Sequence, residues 1–371
     1  MSIILFFVVL AVLILSHEFG HFIVAKYFGI RVDEFGFGFP PRLFAKKKGE
    51  TEYSFNLIPF GGFVKIFGED ETDEYTKAPD EDKNRSLLNK PKKVQAAVIV
   101  AGVLFNFILA WFLLSTSITL GTKVSASSLP ERISVSEQKL TITHVLSGSP
   151  ADKAGLKAGD EIIYLSSLEK TVQSENLLVD KVQNFIADSE NETIFVGYIR
   201  DAGPAKVATT TPVAGIVSGR GAIGVSLDMV GILKLPFYKS IFEGFIITAR
   251  LTMEMVFGLL NFIYGFFVGS SSVSDVSGPV GMVGIVGEAG RRGLVELLNM
   301  TALISLNLAV INMIPFPALD GGRLLFLFVE FLKGKPINKK TTATFNAIGF
   351  MLLIALMFAV TYSDVAKIFF K

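Results

Sequence analysis

Three apolar stretches of this chain are each long enough to cross a lipid bilayer, since about 20 apolar residues make a transmembrane helix. They are residues 3–28, 94–120 and 343–362. A fourth stretch, from residue 297 to about 332, is interrupted by Pro315 and Pro317. Hydrophobic residues make up 50% of the 371 residues and 34 are phenylalanine, which is too apolar for an ordinary soluble protein. The sequence therefore predicts an α-helical polytopic membrane protein with four transmembrane helices, the third of them broken.

Composition also limits the partners. The formal net charge is +1, and basic residues form no stripe with interleaved aromatics, so no nucleic-acid partner is expected. The chain has no cysteine. Disulfides and thiolate metal ligands are therefore excluded.

The basic loops predict the orientation in the membrane. Lysines and arginines gather between the first two stretches and again at residues 333–340, which places both loops in the cytoplasm and both termini outside. Residues 237–267 are rich in aromatics but carry a polar stripe of Glu243, Arg250 and Glu254. If this segment were a fifth span, the basic loop at residues 333–340 would lie on the outer side of the membrane. This segment is therefore predicted to be an amphipathic helix on the membrane surface.

A metal-binding motif lies inside the first apolar stretch. In His17-Glu18-Phe19-Gly20-His21, the two imidazoles are one helical turn apart and can hold one metal, with Glu18 beside it as the base for a bound water. A charged side chain in the middle of a span costs roughly 2.5–3.5 kcal/mol on insertion scales and is usually kept for function. With no cysteine, the third ligand is His144, a carboxylate or a carbonyl.

The interrupted stretch contains a second polar motif. Residues 312–322 read N-M-I-P-F-P-A-L-D-G-G, so prolines and glycines surround Asp320 within an apolar segment. Irregular backbone at membrane depth is tolerated only where protein or a watery cavity surrounds it. Counting about 1.5 Å per helical residue places Asp320 and the histidine pair at compatible depths. The alternative is a kinked span in which Asp320 pairs with Arg323.

The chain divides into four parts. Residues 1–121 hold the first two spans and a membrane-associated hairpin loop, and residues 122–236 alternate apolar and polar residues like an α+β domain outside the membrane. Residues 237–296 hold the interfacial helix and a linker with Gly278-Pro279-Val280-Gly281, and residues 297–371 hold the last two spans.

Together these motifs resemble the site-2 protease family of intramembrane zinc metalloproteases, especially its bacterial members with a single PDZ domain, relatives of the regulator-of-sigma-E protease. The resemblance covers most of the chain and implies Zn²⁺ held by His17, His21 and Asp320, with Glu18 as catalytic base. Ser149-Pro150-Ala151 and residues 155–160 are similar to a PDZ domain inserted between the second and third spans. Ala101-Gly102-Val103-Leu104-Phe105-Asn106 also resembles the family, although Val103 stands where proline is frequent.

The resemblance further implies a multi-pass protein of the bacterial inner membrane that cuts transmembrane segments. Expected substrates are single-span membrane proteins already shortened by another protease, such as anti-sigma factors, or signal-peptide remnants. A PDZ domain outside the membrane would limit access and offers a site for a peptide ligand. The alternative is a catalytically silent adaptor that uses the PDZ domain to bind extracytoplasmic tails, for which an intact Glu18 is not needed.

Two elements are candidates for holding the substrate. Residues 51–67 are predicted to form a hairpin at the membrane boundary, and its Phe60-Gly61-Gly62 segment permits close approach of a substrate strand; the alternative is a hairpin that only packs on the helices. Asn312 is a candidate for binding the substrate backbone or the oxyanion, or for linking two helices.

Overall fold

A computed structural model describes residues 1–69, 79–128, 135–168, 170–173, 177–201, 203–217, 219–270, 277–335 and 337–369. The helices are α1 (Ser2–Tyr27), α2 (Asp80–Lys83), α3 (Lys92–Leu120), α4 (Pro150–Lys153), α5 (Val179–Asp188), α6 (Phe237–Val268), α7 (Pro279–Arg292), α8 (Leu294–Asn312), α9 (Asp320–Lys333) and α10 (Lys339–Phe369). The strands are β1 (Val32–Lys48), β2 (Thr51–Ile66), β3 (Thr122–Ser125), β4 (Ser136–Val145), β5 (Glu161–Ser166), β6 (Thr171–Gln173), β7 (Ile194–Ile199), β8 (Ala205–Thr210), β9 (Val213–Val217), β10 (Arg220–Ala222) and β11 (Val225–Leu233). The chain forms two compact units, one of residues 1–117 with 237–371 and the other of residues 118–236.

In the first unit, α1 and α3 cross closely and run in opposite directions. The Ser16 hydroxyl donates to the Phe105 carbonyl over 3.2 Å. Five residues further along α1, His21 Nδ1 lies 2.8 Å from the Val98 carbonyl. The crossing requires Gly20, because a Cβ there would overlap the backbone of Ala101. Small residues are the usual means by which membrane helices approach this closely.

Helix α8 also runs opposite to α3. The Ser117 hydroxyl donates to Asn299 Oδ1 over 2.5 Å, and the Ser305 hydroxyl donates to the Asn106 carbonyl over 2.7 Å. Since α1 and α8 are both antiparallel to α3, they run in the same direction. The start of α8 therefore lies at the same end of the bundle as the end of α3.

Five of the described helices are long and apolar enough to cross a membrane: α1, α3, α6, α8 and α10. By length and composition α6 thus qualifies as well, one helix more than the four spans predicted. It packs on the last third of α3, where Trp111 Nε1 donates to the Ile241 carbonyl over 2.8 Å and Gly244 lies against Ser115.

The predicted hairpin within residues 51–67 is wrong in its extent. These residues form the single strand β2, whose partner is β1, joined through a tight turn at Gly49, where φ is +66°. Residues 34–37 of β1 have partners both at 52–55 and at 62–65 of β2. Because a strand has two edges, both edges of residues 34–37 are occupied. The alternation of phenylalanine and glycine in residues 35–39 allows this dense pairing.

The predicted break between α8 and α9 is confirmed. Helix α8 ends at Asn312 and α9 begins at Asp320, and Ala318 between them has a φ of +71°. A left-handed conformation is unfavourable for a residue with a Cβ. Glycines complete the turn, since a Cβ at Gly321 would overlap the Met313 and Ile314 carbonyls, and one at Gly322 would overlap the Phe316 carbonyl.

Helix α7 ties the last helix to the first. The buried Asp364 of α10 accepts a hydrogen bond of 2.8 Å from the Gly281 amide in the first turn of α7. Further along α7, a Cβ at Gly287 would overlap Ser2, and one at Gly290 would overlap Leu5. An acceptor at a helix N-terminus satisfies amides that have no partner within the helix. Asp364 therefore fixes α7 where its glycines can pack on α1.

The second unit contains an antiparallel sheet in the order β3-β11-β4-β5-β7-β8, and buried residues of α5 pack against it. Its strands β4, β5, β7 and β8 and its helix α5 give this unit the mixture of strand and helix that the alternation of apolar and polar residues predicts. The fully buried Asp160 accepts from Arg200 Nε over 2.6 Å and from the Lys157 amide over 2.8 Å. This pairing with Asp160 raises the pKa of Arg200 and closes the turn at residues 155–160.

We expect the turn between β1 and β2 to depend on Glu50. Arg85 Nη1 donates to Glu50 Oε2 over 2.7 Å, and Lys26 also pairs with this carboxylate; the Arg85 bonds hold the pKa of Glu50 at about 2. Because this pKa is below the unfolded value of about 4.3, the stabilisation is present above pH ~4.3 and is lost as pH falls toward 2. The carboxylate is partly exposed, so about 1 kcal/mol remains after solvent screening.

Thermal unfolding of Glu50→Gln in detergent should therefore occur at a lower temperature than that of the wild type at pH 7, and the difference should shrink below pH 4. Glu52→Gln is the matched control, because Glu52 pairs with Arg42 at a more exposed site. An equal effect of both substitutions at every pH would contradict this assignment.

Candidate metal centre

Three side chains from distant parts of the chain converge in the first unit. His17 Nε2 and His21 Nε2 lie 3.3 Å apart, and Asp320 Oδ2 lies 3.2 Å from the first and 3.4 Å from the second. The structure thus brings together the three residues predicted from the two motifs. Among the described residues they are the group of histidine, aspartate and glutamate side chains spaced to hold a metal.

The spacing fits a tetrahedral zinc ion. Ligand atoms about 2.0–2.1 Å from such an ion are about 3.3 Å from one another, and the three measured distances are 3.2, 3.3 and 3.4 Å. Asp320 Oδ2 is buried, with no hydrogen-bond donor assigned to it within the described residues. A buried carboxylate oxygen facing two imidazole nitrogens requires a compensating positive charge. Nitrogen and carboxylate ligands suit zinc.

The backbone of α3 sets the tautomer of one histidine. The Val98 carbonyl, 2.8 Å from His21 Nδ1, can only accept a hydrogen bond. His21 Nδ1 therefore carries the proton, and the lone pair of Nε2 points to the other two side chains. Gly102, one turn along α3, leaves the room they need, because a Cβ there would overlap His21 Nε2 and contact His17.

Asp320 owes its position to the break between α8 and α9. It is the first residue of α9 and follows the left-handed Ala318. The predicted alternative, pairing of Asp320 with Arg323, is not what the structure has: Arg323 forms an ion pair with Glu69, which follows the end of β2. The carboxylate is thus left for the histidines.

The Glu18 side chain lies between β2 and the three candidate metal ligands. It follows His17 on α1, in electrostatic range of His17, His21 and Asp320. On its other side, a Cβ at Gly62 would contact Glu18 Cγ and overlap Ile14. The backbone of β2 at Gly62 therefore runs directly against the catalytic-base candidate.

The remaining candidates lie as follows. Asn312 Nδ2 is 3.4 Å from His17 Nε2, on the same side of the ring as Asp320. Gly61 has a φ of +146° and packs against the Phe39 ring. Phe60 belongs to β2, but its side chain is outside the described part of the chain. His144 is exposed on β4 of the second unit.

Each unit also contains a cavity. In the first, a largely apolar cavity of about 540 Å³ borders the break, and its lining includes Pro315, Gly321, Phe328 and Lys93. In the second, a groove of about 360 Å³ is lined by residues of α5, including Gln183, and by residues of β11 and the turn before it, including Gly224 and Val225.

Sequence reasoning missed the supporting residues. In the sequence, Gly102 and Asn106 appear only as members of the motif at residues 101–106. Nothing in the sequence indicates that the Val98 carbonyl contacts a histidine. Glycine and asparagine inside an apolar helix are the one hint that this face of α3 contacts a polar site.

One protein family and several known proteins are similar to this chain over most of its length. Residues 5–356 match the model of Peptidase family M50. The zinc metalloprotease RasP of Geobacillus kaustophilus is 31% identical in an alignment covering 99% of this chain and 98% of that protein. A Clostridium perfringens protein with the provisional name zinc metalloprotease CPE1693 is 32% identical over 95% of each chain. A Nostoc protein provisionally named zinc metalloprotease all3971 is 33% identical over 96% of this chain and 93% of its own length.

We expect Gly102→Ala to damage the metal centre while leaving the fold intact. The added methyl group must displace His21 or His17, whose nitrogens are spaced for one ion. Metal affinity of the purified protein, measured by competition with a chromophoric chelator, should fall at least about 10-fold. Gly284→Ala in α7 is the matched control, since open space surrounds its Cβ position. Equal affinities in the two variants would contradict the proposed role of Gly102.

Proposed function

The chain belongs to Peptidase family M50, and we propose that it is a zinc endopeptidase that hydrolyses peptide bonds within transmembrane segments. The observation that carries the proposal is the triangle of ligand atoms from His17, His21 and Asp320, with sides of 3.2–3.4 Å. These residues would hold the zinc ion. The names of the three relatives, all zinc metalloproteases, support the same metal.

Bound zinc supplies a Lewis acid that activates water and polarises a peptide carbonyl. Glu18 accepts the proton of the attacking water and passes it to the departing amine. Asn312 donates a hydrogen bond to the carbonyl oxygen of the scissile bond. Its Nδ2 lies 3.4 Å from His17 Nε2, close enough to reach a carbonyl held at the same centre.

An intramembrane substrate must unwind before it is cut, because its peptide bonds are shielded by the helix. We propose that residues 62–66 of β2, including Gly62, bind the unwound segment of the substrate. One edge of these residues pairs with β1, and Gly62 runs against Glu18. A substrate strand added to the other edge would gain main-chain hydrogen bonds in place of those lost on unwinding. The apolar cavity beside Pro315 offers room for its side chains.

The directions of the helices support a protein with four spans. The segment between the end of α3 and the start of α8 leaves and returns at one end of the bundle, as the Ser117–Asn299 contact requires. A single crossing by α6 would separate these two ends, and α7, with 14 residues, is about 21 Å long and too short for a return crossing. We therefore place α6 at the membrane surface, the second unit and both termini outside, and the chain in the bacterial inner membrane.

We assign the second unit as a single PDZ domain that restricts access to the site. Residues 225–229 of β11 pair with β4, while β3 pairs only with residues 230–233. Ser127, in the segment after β3, donates to Asp228, so within the described residues the part of this edge without a strand partner is residues 225–227, which line the groove under α5. Such an edge accepts an extended peptide. Substrates are then single-span proteins whose outer part has been shortened, such as anti-sigma factors or signal-peptide remnants.

The alternative is a silent adaptor. It would use the same groove but would need no base and no tuned ligand set. The backbone carbonyl that orients His21 and the glycine that makes room for both rings are explained by metal chemistry and have no role in an adaptor.

Glu18→Gln should abolish cleavage of a single-span reporter, by about 10³-fold or more, because a general base is lost. Zinc content should stay at one ion per chain, since the ligands remain. His17→Ala should lose both zinc and cleavage. These outcomes are measured by metal analysis of purified protein and by gel assay of the reporter in liposomes. Undiminished cleavage by Glu18→Gln would support the adaptor together with a contaminating protease.

Strand addition is tested by cross-linking, for which the absence of cysteine provides a clean background. In Glu18→Gln protein, Lys65→Cys should form a disulfide with cysteines placed near the cleavage site of the reporter. Lys47→Cys is the control, because residues 42–48 pair with 51–56 at the other side of the hairpin. Cross-linking at position 47 with none at 65 would contradict the proposed docking edge.

A further inference from the structure

We propose that Asn106 is a positioning residue that fixes the tautomer of His17 and thereby raises the zinc affinity of the site. The inference rests on the proposed zinc centre. Asn106 lies in α3 and is fully buried. Its side-chain Nδ2 is 3.4 Å from His17 Nδ1, while its Oδ1 has no hydrogen-bond partner within the described residues.

The two ring nitrogens of His17 face different groups. Nε2 faces His21 and Asp320 at 3.3 and 3.2 Å, so Nε2 is the nitrogen available to a metal. A neutral imidazole that offers Nε2 to a metal carries its proton on Nδ1. This Nδ1–H points to the Asn106 amide, so it needs an acceptor there.

The amide of Asn106 can supply that acceptor. Rotation about the Cβ–Cγ bond by 180° exchanges Oδ1 and Nδ2, which are nearly equal in size. In this orientation His17 Nδ1–H donates to Oδ1, and two facing donors become a donor and an acceptor. A donor buried against another donor is unfavourable, because it loses the hydrogen bond that it would make to water.

The backbone of Asn106 is held independently of its side chain. The buried Ser305 of α8 donates to the Asn106 carbonyl over 2.7 Å, and the neighbouring Phe105 carbonyl accepts from Ser16 of α1. The amide is therefore presented to His17 by a helix fixed on both sides.

The two histidines thus have equivalent outer partners on the same helix. The Val98 carbonyl serves His21 and the Asn106 side chain serves His17. Because the Val98 acceptor belongs to the main chain, only the Asn106 acceptor can be removed by a substitution. Outer partners of metal-bound histidines commonly contribute 10–100-fold in metal affinity.

The test is the zinc affinity of purified full-length protein, measured by competition with a chromophoric chelator. Asn106→Leu, similar in size but without an acceptor, should bind zinc 10–100-fold more weakly. Asn106→Asp should stay within about 3-fold of the wild type, because a carboxylate accepts in either orientation. Ser305→Ala, the matched control, removes only the bond to the Asn106 backbone and should also leave the affinity unchanged.

Asn106→Ala is a second variant for the case in which Asn106→Leu does not fold. It also lacks an acceptor, so it should weaken zinc binding by the same factor as Asn106→Leu. Wild-type protein that binds no zinc would contradict the proposed function. Wild-type protein that binds zinc, with equal affinity in Asn106→Leu or Asn106→Ala, would contradict this inference alone. Loss of affinity in Asn106→Asp equal to that in Asn106→Leu would show a packing role and would also overturn it.

Discussion

The close crossing of α1 and α3 is the contact on which the centre depends. Gly20 lets α1 approach the Ala101 backbone, and Gly102 leaves space for the rings of His17 and His21. At this separation a main-chain carbonyl of α3 can orient one imidazole. No additional polar side chain has to be placed in the apolar surroundings for this purpose. Wider spacing would leave polar atoms of both helices unpaired in a medium that offers no water.

The broken helix serves the same centre by a different means. A continuous helix through residues 313–319 would present side chains at 3.6 residues per turn, whereas the irregular segment sets Asp320 at the start of a new helix. Backbone strain at Ala318 is offset by the close packing that Gly321 and Gly322 allow. Proline and glycine, which destabilise a helix elsewhere, here determine where the carboxylate lies.

Much of this could be predicted from sequence, because the relevant signals are local. The histidine pair at one-turn spacing, the apolar stretches and the proline-rich break each lie within a short segment, and depth counting related Asp320 to His17. The partner of residues 51–66 could not be predicted in the same way. Its pairing with β1 depends on a turn at Gly49 and on dense packing of phenylalanine against glycine. Contacts made by a backbone carbonyl, as at Val98, leave no trace in residue identity.

The bond between Asp364 and the Gly281 amide joins parts of the chain that are made at different times. Helix α1 is synthesised first, yet the helix that covers its beginning receives its capping carboxylate only when α10 is nearly complete. A chain interrupted before residue 364 would hold both motifs of the candidate metal centre without that cap. Such a fragment would hold the candidate site without the bond that fixes α7 against α1, so the firm packing of this bundle depends on a residue that is made after every part of the site.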